Sequence, residues 1–135
     1  MIRDMEEKDI PYLIDLGYQL HQEGNFKNLD YDKEKCKKFG LILLTNPKFK
    51  CFVSEDDKGY IGMMMGYIET YIFSNQKYAS DLLLYVDPER RGGLSAARLI
   101  KAFEKWAKSN EAEEIRNGSM NGINVDLIKK LYKKL

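Results

Sequence analysis

One unbroken stretch limits the fold of this chain more than any other: LLLYVDPERRGGLSAARLIKAFEKWAK. Leu82-Leu83-Leu84-Tyr85-Val86 is a continuous apolar run with no alternation, which reads as a strand covered on both faces. Asp87-Pro88 stops it. A turn rich in arginine and glycine follows, Glu89-Arg90-Arg91-Gly92-Gly93-Leu94-Ser95, and then a helical period. Ala96, Leu99, Ile100, Phe103, Trp106 and Ala107 form the apolar stripe, with Arg98, Lys101, Glu104, Lys105 and Lys108 mostly off it. A strand covered twice needs helices on both sides of a sheet, so the stretch predicts an α/β or α+β layer design.

The junction between that strand and that helix favours an anion. The first N–H groups of a helix have no internal acceptor, and the helix dipole places roughly +0.5 charge beside them. Gly92 and Gly93 let the main chain approach a ligand, and Arg90 and Arg91 supply cations that fork onto phosphate oxygens. A pyrophosphate suits this arrangement. A solvated basic turn at a helix start is the competing reading. The P-loop ending Gly-Lys-Ser/Thr and the three spaced glycines of the dinucleotide fingerprint are both missing.

The remaining segments supply the layers. Ile2 to Met5 predicts an edge strand. Ile10, Leu13, Gly17, Leu20 and Gly24 predict a helix with Asp9 as its N-cap and Gly24 as its stop. Tyr31 to Leu44 predicts a second helix, broken at Asn46-Pro47. Lys50–Ser54 and Tyr60–Phe73 predict a hairpin across the turn chemistry of Glu55 to Gly59, with Gly62 and Gly66 marking a bulge or a close backbone approach. Glu113 to Asn117 predicts a short strand, and Asn124 caps a last helix carrying Val125, Ile128, Leu131 and Leu135.

Composition sets outer bounds. A length of 135 residues predicts one domain over 1–135. Lysine and arginine number 22 against 21 acids, so no whole-surface field draws the chain to nucleic acid or membrane. An interaction of Arg90, Arg91, Arg98 and Lys101 with nucleic acid also lacks interleaved stacking aromatics. Cys36 and Cys51 have neither metal nor redox spacing, and His21 is the single histidine, so no metal site is expected. The start MIRDMEEKDI has no signal-peptide character and no apolar run reaches the ~20 residues of a membrane span, which predicts a cytoplasmic protein.

Val86, Pro88, Arg91, Gly92 and Ala96 fall on the pattern Val-x-Pro-x-x-Arg-Gly followed by a Gly/Ala turn and a long helix. This resembles the acetyl-CoA-binding motif of the GNAT family of N-acetyltransferases, and the order of elements is similar over nearly the whole chain. Leu94 stands where the commonest form has a further glycine, with Gly93 one position earlier. The resemblance implies a mixed, mostly antiparallel sheet flanked by helices, and acetyl-CoA as co-substrate. It implies that the main chain of Leu84, Tyr85 and Val86 pairs with the pantetheine arm, that the amides of Arg91, Gly92, Gly93, Leu94, Ser95 and Ala96 hold the pyrophosphate, and that Asn124 contacts the arm. It implies that Tyr132 protonates the departing thiolate.

The implied reaction is direct attack of an amine on the thioester through a tetrahedral intermediate, with a backbone N–H of the Tyr85–Val86 strand on the oxyanion. A phenol with an ordinary pKa near 10 is protonated at neutral pH and can donate to a thiolate. The base that deprotonates the ammonium is sought among Glu69, Asp81, Tyr67 and His21, with Glu69 first because it ends a strand beside the site. His21, Glu23 and Tyr31 are candidate contacts to a small-molecule or peptide amine. Members of the family continue past the position of Leu135 with Gly-Phe and two closing strands; without them a sheet edge is left for a homodimer. An inactive acyl-CoA-binding or protein-interaction module on the same fold is the alternative.

Overall fold

In the computed structural model, which describes residues 1–23 and 28–116, the apolar run Leu82–Val86 is the second half of a longer strand. The strands are β1 (Ile2–Asp4), β2 (Phe49–Asp56), β3 (Gly59–Thr70), β4 (Lys77–Val86) and β5 (Ala112–Arg116), and the helices are α1 (Ile10–Glu23), α2 (Lys33–Thr45) and α3 (Ser95–Ser109). They form one sheet in the order β1-β2-β3-β4-β5, antiparallel throughout except for β4 and β5, which run parallel. This is the mixed, mostly antiparallel sheet flanked by helices that the sequence predicts.

The two faces carry separate cores. Val53, Met63, Met65 and Tyr85 point to Ile10, Leu13, Leu16 and Leu20 of α1 and Leu43 of α2. Phe52, Met64, Ile68 and Leu84 point to Leu99, Ile100, Phe103 and Ala107 of α3. Each fully buried side chain of this kind is worth roughly 1.5–3 kcal/mol. The alternation of Leu84 and Tyr85 between the two cores is why that run contains no polar residue.

Lys77 to Ser80 pair with Thr70 to Tyr67 of β3, so β4 begins five residues ahead of the apolar run. A bulge between Met65 and Gly66 leaves Leu82 as the extra residue of β4. At Gly66 an added Cβ would overlap the Phe103 ring, and at Gly62 it would overlap the Tyr85 carbonyl oxygen. β2 and β3 are joined through Asp57-Lys58, with Gly59 at φ +121° and the Asp56 carboxylate accepting the Lys58 N–H at 2.9 Å.

Asp9 does not cap α1. It lies in a single 3₁₀ turn, Glu7–Asp9, and is fully buried. Its carboxylate takes two N–H donors of Arg3 at 2.7 and 2.9 Å, the Tyr60 hydroxyl at 2.7 Å and the Glu6 amide at 2.8 Å. Burial alone would raise its pKa, but these donors prevail and hold it at about 2. Asp32 does cap α2, accepting from the Lys35 amide at 3.1 Å.

Candidate active site

The site is built where β4 gives way to α3. The Asp87 N–H donates to the Ile61 carbonyl at 2.8 Å, which fixes the alternation of the strand before it. Tyr85 turns its main-chain groups toward β3, while Leu84 and Val86 turn theirs to the β5 side. The β4–β5 register covers Lys77 to Ser80, the first four residues of β4.

Beyond Val86, the Asp87 carboxylate caps a single 3₁₀ turn, Pro88–Arg90, by accepting from the Glu89 amide at 3.1 Å. Arg91 is extended, and Gly92 has φ +99°, a conformation that L side chains rarely adopt. Open space surrounds a Cβ built on either Gly92 or Gly93. α3 then starts at Ser95 with Leu94 at its N-cap and no side chain capping it. Its first intrahelical bond is from Arg98 to the Leu94 carbonyl at 3.0 Å, so the amides of Ser95, Ala96 and Ala97 precede the ladder. An uncapped helix start behind an open glycine turn is a place for an anion.

The two arginines of the turn, read in the sequence as cations for phosphate oxygens, both pair with acidic side chains. Arg90 pairs with Asp56 at the β2–β3 turn. The Arg91 Nε donates to the Val86 carbonyl at 2.8 Å, a terminal nitrogen lies 3.5 Å from Glu23 Oε2, and the guanidinium stands over the Tyr85 ring at 5.2 Å. The Tyr85 hydroxyl donates to the same Glu23 oxygen and lies 3.4 Å from Gln19 Oε1. Burial, and then the Glu23 carboxylate, push that phenol well above its ordinary pKa. Tyr12, one α1 face with Gln19 and Glu23, stacks on Tyr60 at 3.8 Å between centroids, and its hydroxyl is buried without a hydrogen-bond partner among the described residues. Gln19 and Asp56 carried no signal in the sequence; Glu23 was visible only as a possible acceptor contact.

The candidate bases are spread along the sheet and α1. Glu69 sits opposite Tyr78, where β4 begins, and Gly62 sits opposite Val86, where it ends. Both Glu69 oxygens are 3.2 Å from Lys48 Nζ, and Oε1 accepts the Thr70 amide at 3.1 Å. The amide first, then Lys48, hold the Glu69 carboxyl below its usual range. Asp81 is buried in the middle of β4. The Tyr67 ring packs between Phe49 and Tyr78. His21 is bonded to the Leu29 carbonyl and to Gln22, on the side of α1 that faces Tyr31. Asn124 and Tyr132 lie outside the described residues. Among the described residues no three His, Cys, Asp or Glu side chains form a metal site, and no helix is long and apolar enough to cross a membrane.

Comparison with known proteins gives one family. The model of the acetyltransferase (GNAT) family matches residues 12–134. No curated protein matches the chain. Among solved structures, an acetyltransferase from Vibrio fischeri is 24% identical with a TM-score of 0.69, covering 87% of this chain and 93% of that one. The AAC(6')-Iy structure, in complex with the bisubstrate analog CoA-S-monomethyl-acetylneamine, is 18% identical with a TM-score of 0.80, covering 99% and 87%. An aminoglycoside acetyltransferase from an uncultured soil metagenomic sample, in complex with sisomicin, is 23% identical with a TM-score of 0.71, covering 99% and 84%. At these identities the likeness is one of fold.

Proposed function

Because the chain belongs to the acetyltransferase (GNAT) family, we propose that it moves the acetyl group of acetyl-CoA onto a primary amine. The observation that carries the reading is the uncapped start of α3 behind the open Gly92-Gly93 turn, directly beside the outward-facing Val86 end of β4. The amides of Arg91 to Ala96 bind the pyrophosphate, with the helix dipole behind them. The pantetheine arm runs along the Leu84–Val86 end of β4 and takes the main-chain groups of Val86, as one strand does with another, and Tyr85 packs the strand against α1. Asn124 completes the hold on the arm.

Acetyl-CoA supplies an activated thioester. The acceptor amine, once deprotonated, attacks its carbonyl, and a main-chain N–H of β4 stabilises the oxyanion. Glu69 stands opposite Tyr78, at the other end of β4 from Val86, so it takes the ammonium proton through intervening water once Lys48 releases it. The Tyr132 phenol protonates the thiolate as it leaves. The acceptor is a small-molecule or peptide amine; the aminoglycoside acetyltransferases among the structural neighbours support the first.

An assay of thiol release from acetyl-CoA over a panel of amines tests the reading. We expect release that depends on one amine class and stops in Tyr132→Phe, with CoA affinity kept. Binding of CoA with no release for any amine favours the non-catalytic module instead.

A further inference from the structure

We infer that Glu23 is a positioning residue of the cofactor site: it holds the Arg91 side chain on the Val86 carbonyl, and the cofactor arm gains that carbonyl only as Arg91 leaves. The inference rests on the reading of β4 as the strand that receives the arm.

Four contacts converge on this arrangement. The Val86 carbonyl points away from β3, and Arg91 Nε occupies it at 2.8 Å from the side that an added strand would enter. The guanidinium rests on the Tyr85 ring, where the ring quadrupole attracts it. Its outer nitrogen is 3.5 Å from Glu23 Oε2. The same oxygen accepts the Tyr85 hydroxyl, so one carboxylate at the end of α1 ties together the last buried residue of β4 and the arginine of the turn. Arg91 therefore has two competing partners. Docked, it has a carbonyl, a ring and a carboxylate; released, it has phosphate oxygens, which take guanidinium donors in charge-assisted pairs. Glu23 sets the balance between the two from an element that carries no part of the phosphate turn.

The side chains of Arg91 and Glu23 are 30% and 34% exposed, so the pair has the strength of a surface ion pair. Removing it tightens CoA by about twofold to fivefold, the equivalent of such a pair. Calorimetry with CoA on wild type and Glu23→Gln reads this directly. A negative charge near phosphates would weaken CoA through space as well, and the Arg91→Gln background separates the two causes. If Glu23 acts through Arg91, Glu23→Gln has no effect on CoA affinity in that background; if it acts through space, the tightening persists and the inference fails. The ¹⁵N-resolved Nε–H signal of Arg91 supplies a readout independent of binding: it exchanges slowly with solvent in the free wild type, faster in Glu23→Gln, and moves on CoA addition. Unchanged affinity in Glu23→Gln, or an Arg91 signal indifferent to both, overturns the inference. A folded wild type that binds no CoA overturns the functional reading and this inference with it, and the wild-type titration alone identifies that case.

Discussion

Gly62 lies so close to Tyr85 that a Cβ on Gly62 would overlap the Tyr85 carbonyl oxygen and stand 3.0 Å from the Val86 Cα. The tight approach of β3 sets the position of the β4 edge from behind. Gly62→Ala pushes β4 outward at the two residues that lead into the turn. We expect it to cost about 1–3 kcal/mol in denaturant unfolding, as overpacking does, and to weaken CoA binding with it. Gly93→Ala is the control: open space surrounds that position, and stability stays within about 0.5 kcal/mol.

The Arg3–Asp9 pair predicts how stability depends on pH. The Asp9 carboxyl has a pKa of about 2 in the fold, below its usual value. A depressed carboxylate contributes stability above the unfolded pKa of about 3.9 and loses it as the pH falls through the folded one. The contribution is about 2 kcal/mol. Wild type therefore loses stability between about pH 4 and pH 2. Arg3→Met, which strands a buried charge, loses about 3–5 kcal/mol at pH 7. Urea midpoints measured from about pH 2 to pH 7 give both values.

How much of this was legible follows the physics of each signal. Leu82–Val86 and the stripe of α3 were visible because both cores demand apolar residues from them. Lys77–Ser80 was not visible as strand, because its pairing with β3 and β5 is a tertiary choice that leaves no apolar run. Asp9 reads as a helix cap in any local window; Arg3 and Tyr60, which claim it, converge only in the folded sheet. The partners of Arg90 and Arg91 were hidden for the same reason, since Asp56 and Glu23 are 34 and 68 residues away. The glycine turn and the start of α3 needed no distant partner, and the sequence placed them correctly.

The two cysteines differ in reactivity. Cys51 is buried, and burial pushes its thiol up to about 12, so almost no thiolate forms at neutral pH. Cys36 on α2 is partly exposed. Labelling of the native protein with a maleimide at pH 7 modifies Cys36 first, and Cys51 reacts only on unfolding. Rapid modification of both would contradict the packing of Cys51 against the α1–α2 core.

Glu69→Gln tests the assignment of the base. A general base contributes typically 10²–10⁴ to the rate, so kcat falls by about 10² or more while CoA affinity holds. An unchanged kcat leaves Glu69 with its bonds to Lys48 and the Thr70 amide.

Binding of the cofactor by the Gly92 turn and the start of α3 is tested most directly by calorimetric titration of CoA into wild type and Gly92→Glu. Gly92 combines φ +99° with open space, so glutamate there strains the turn and sets a negative charge where the phosphates bind. Wild type is expected to bind CoA at micromolar affinity and the variant not at all. Equal binding by both, or no binding by a folded wild type, would contradict it.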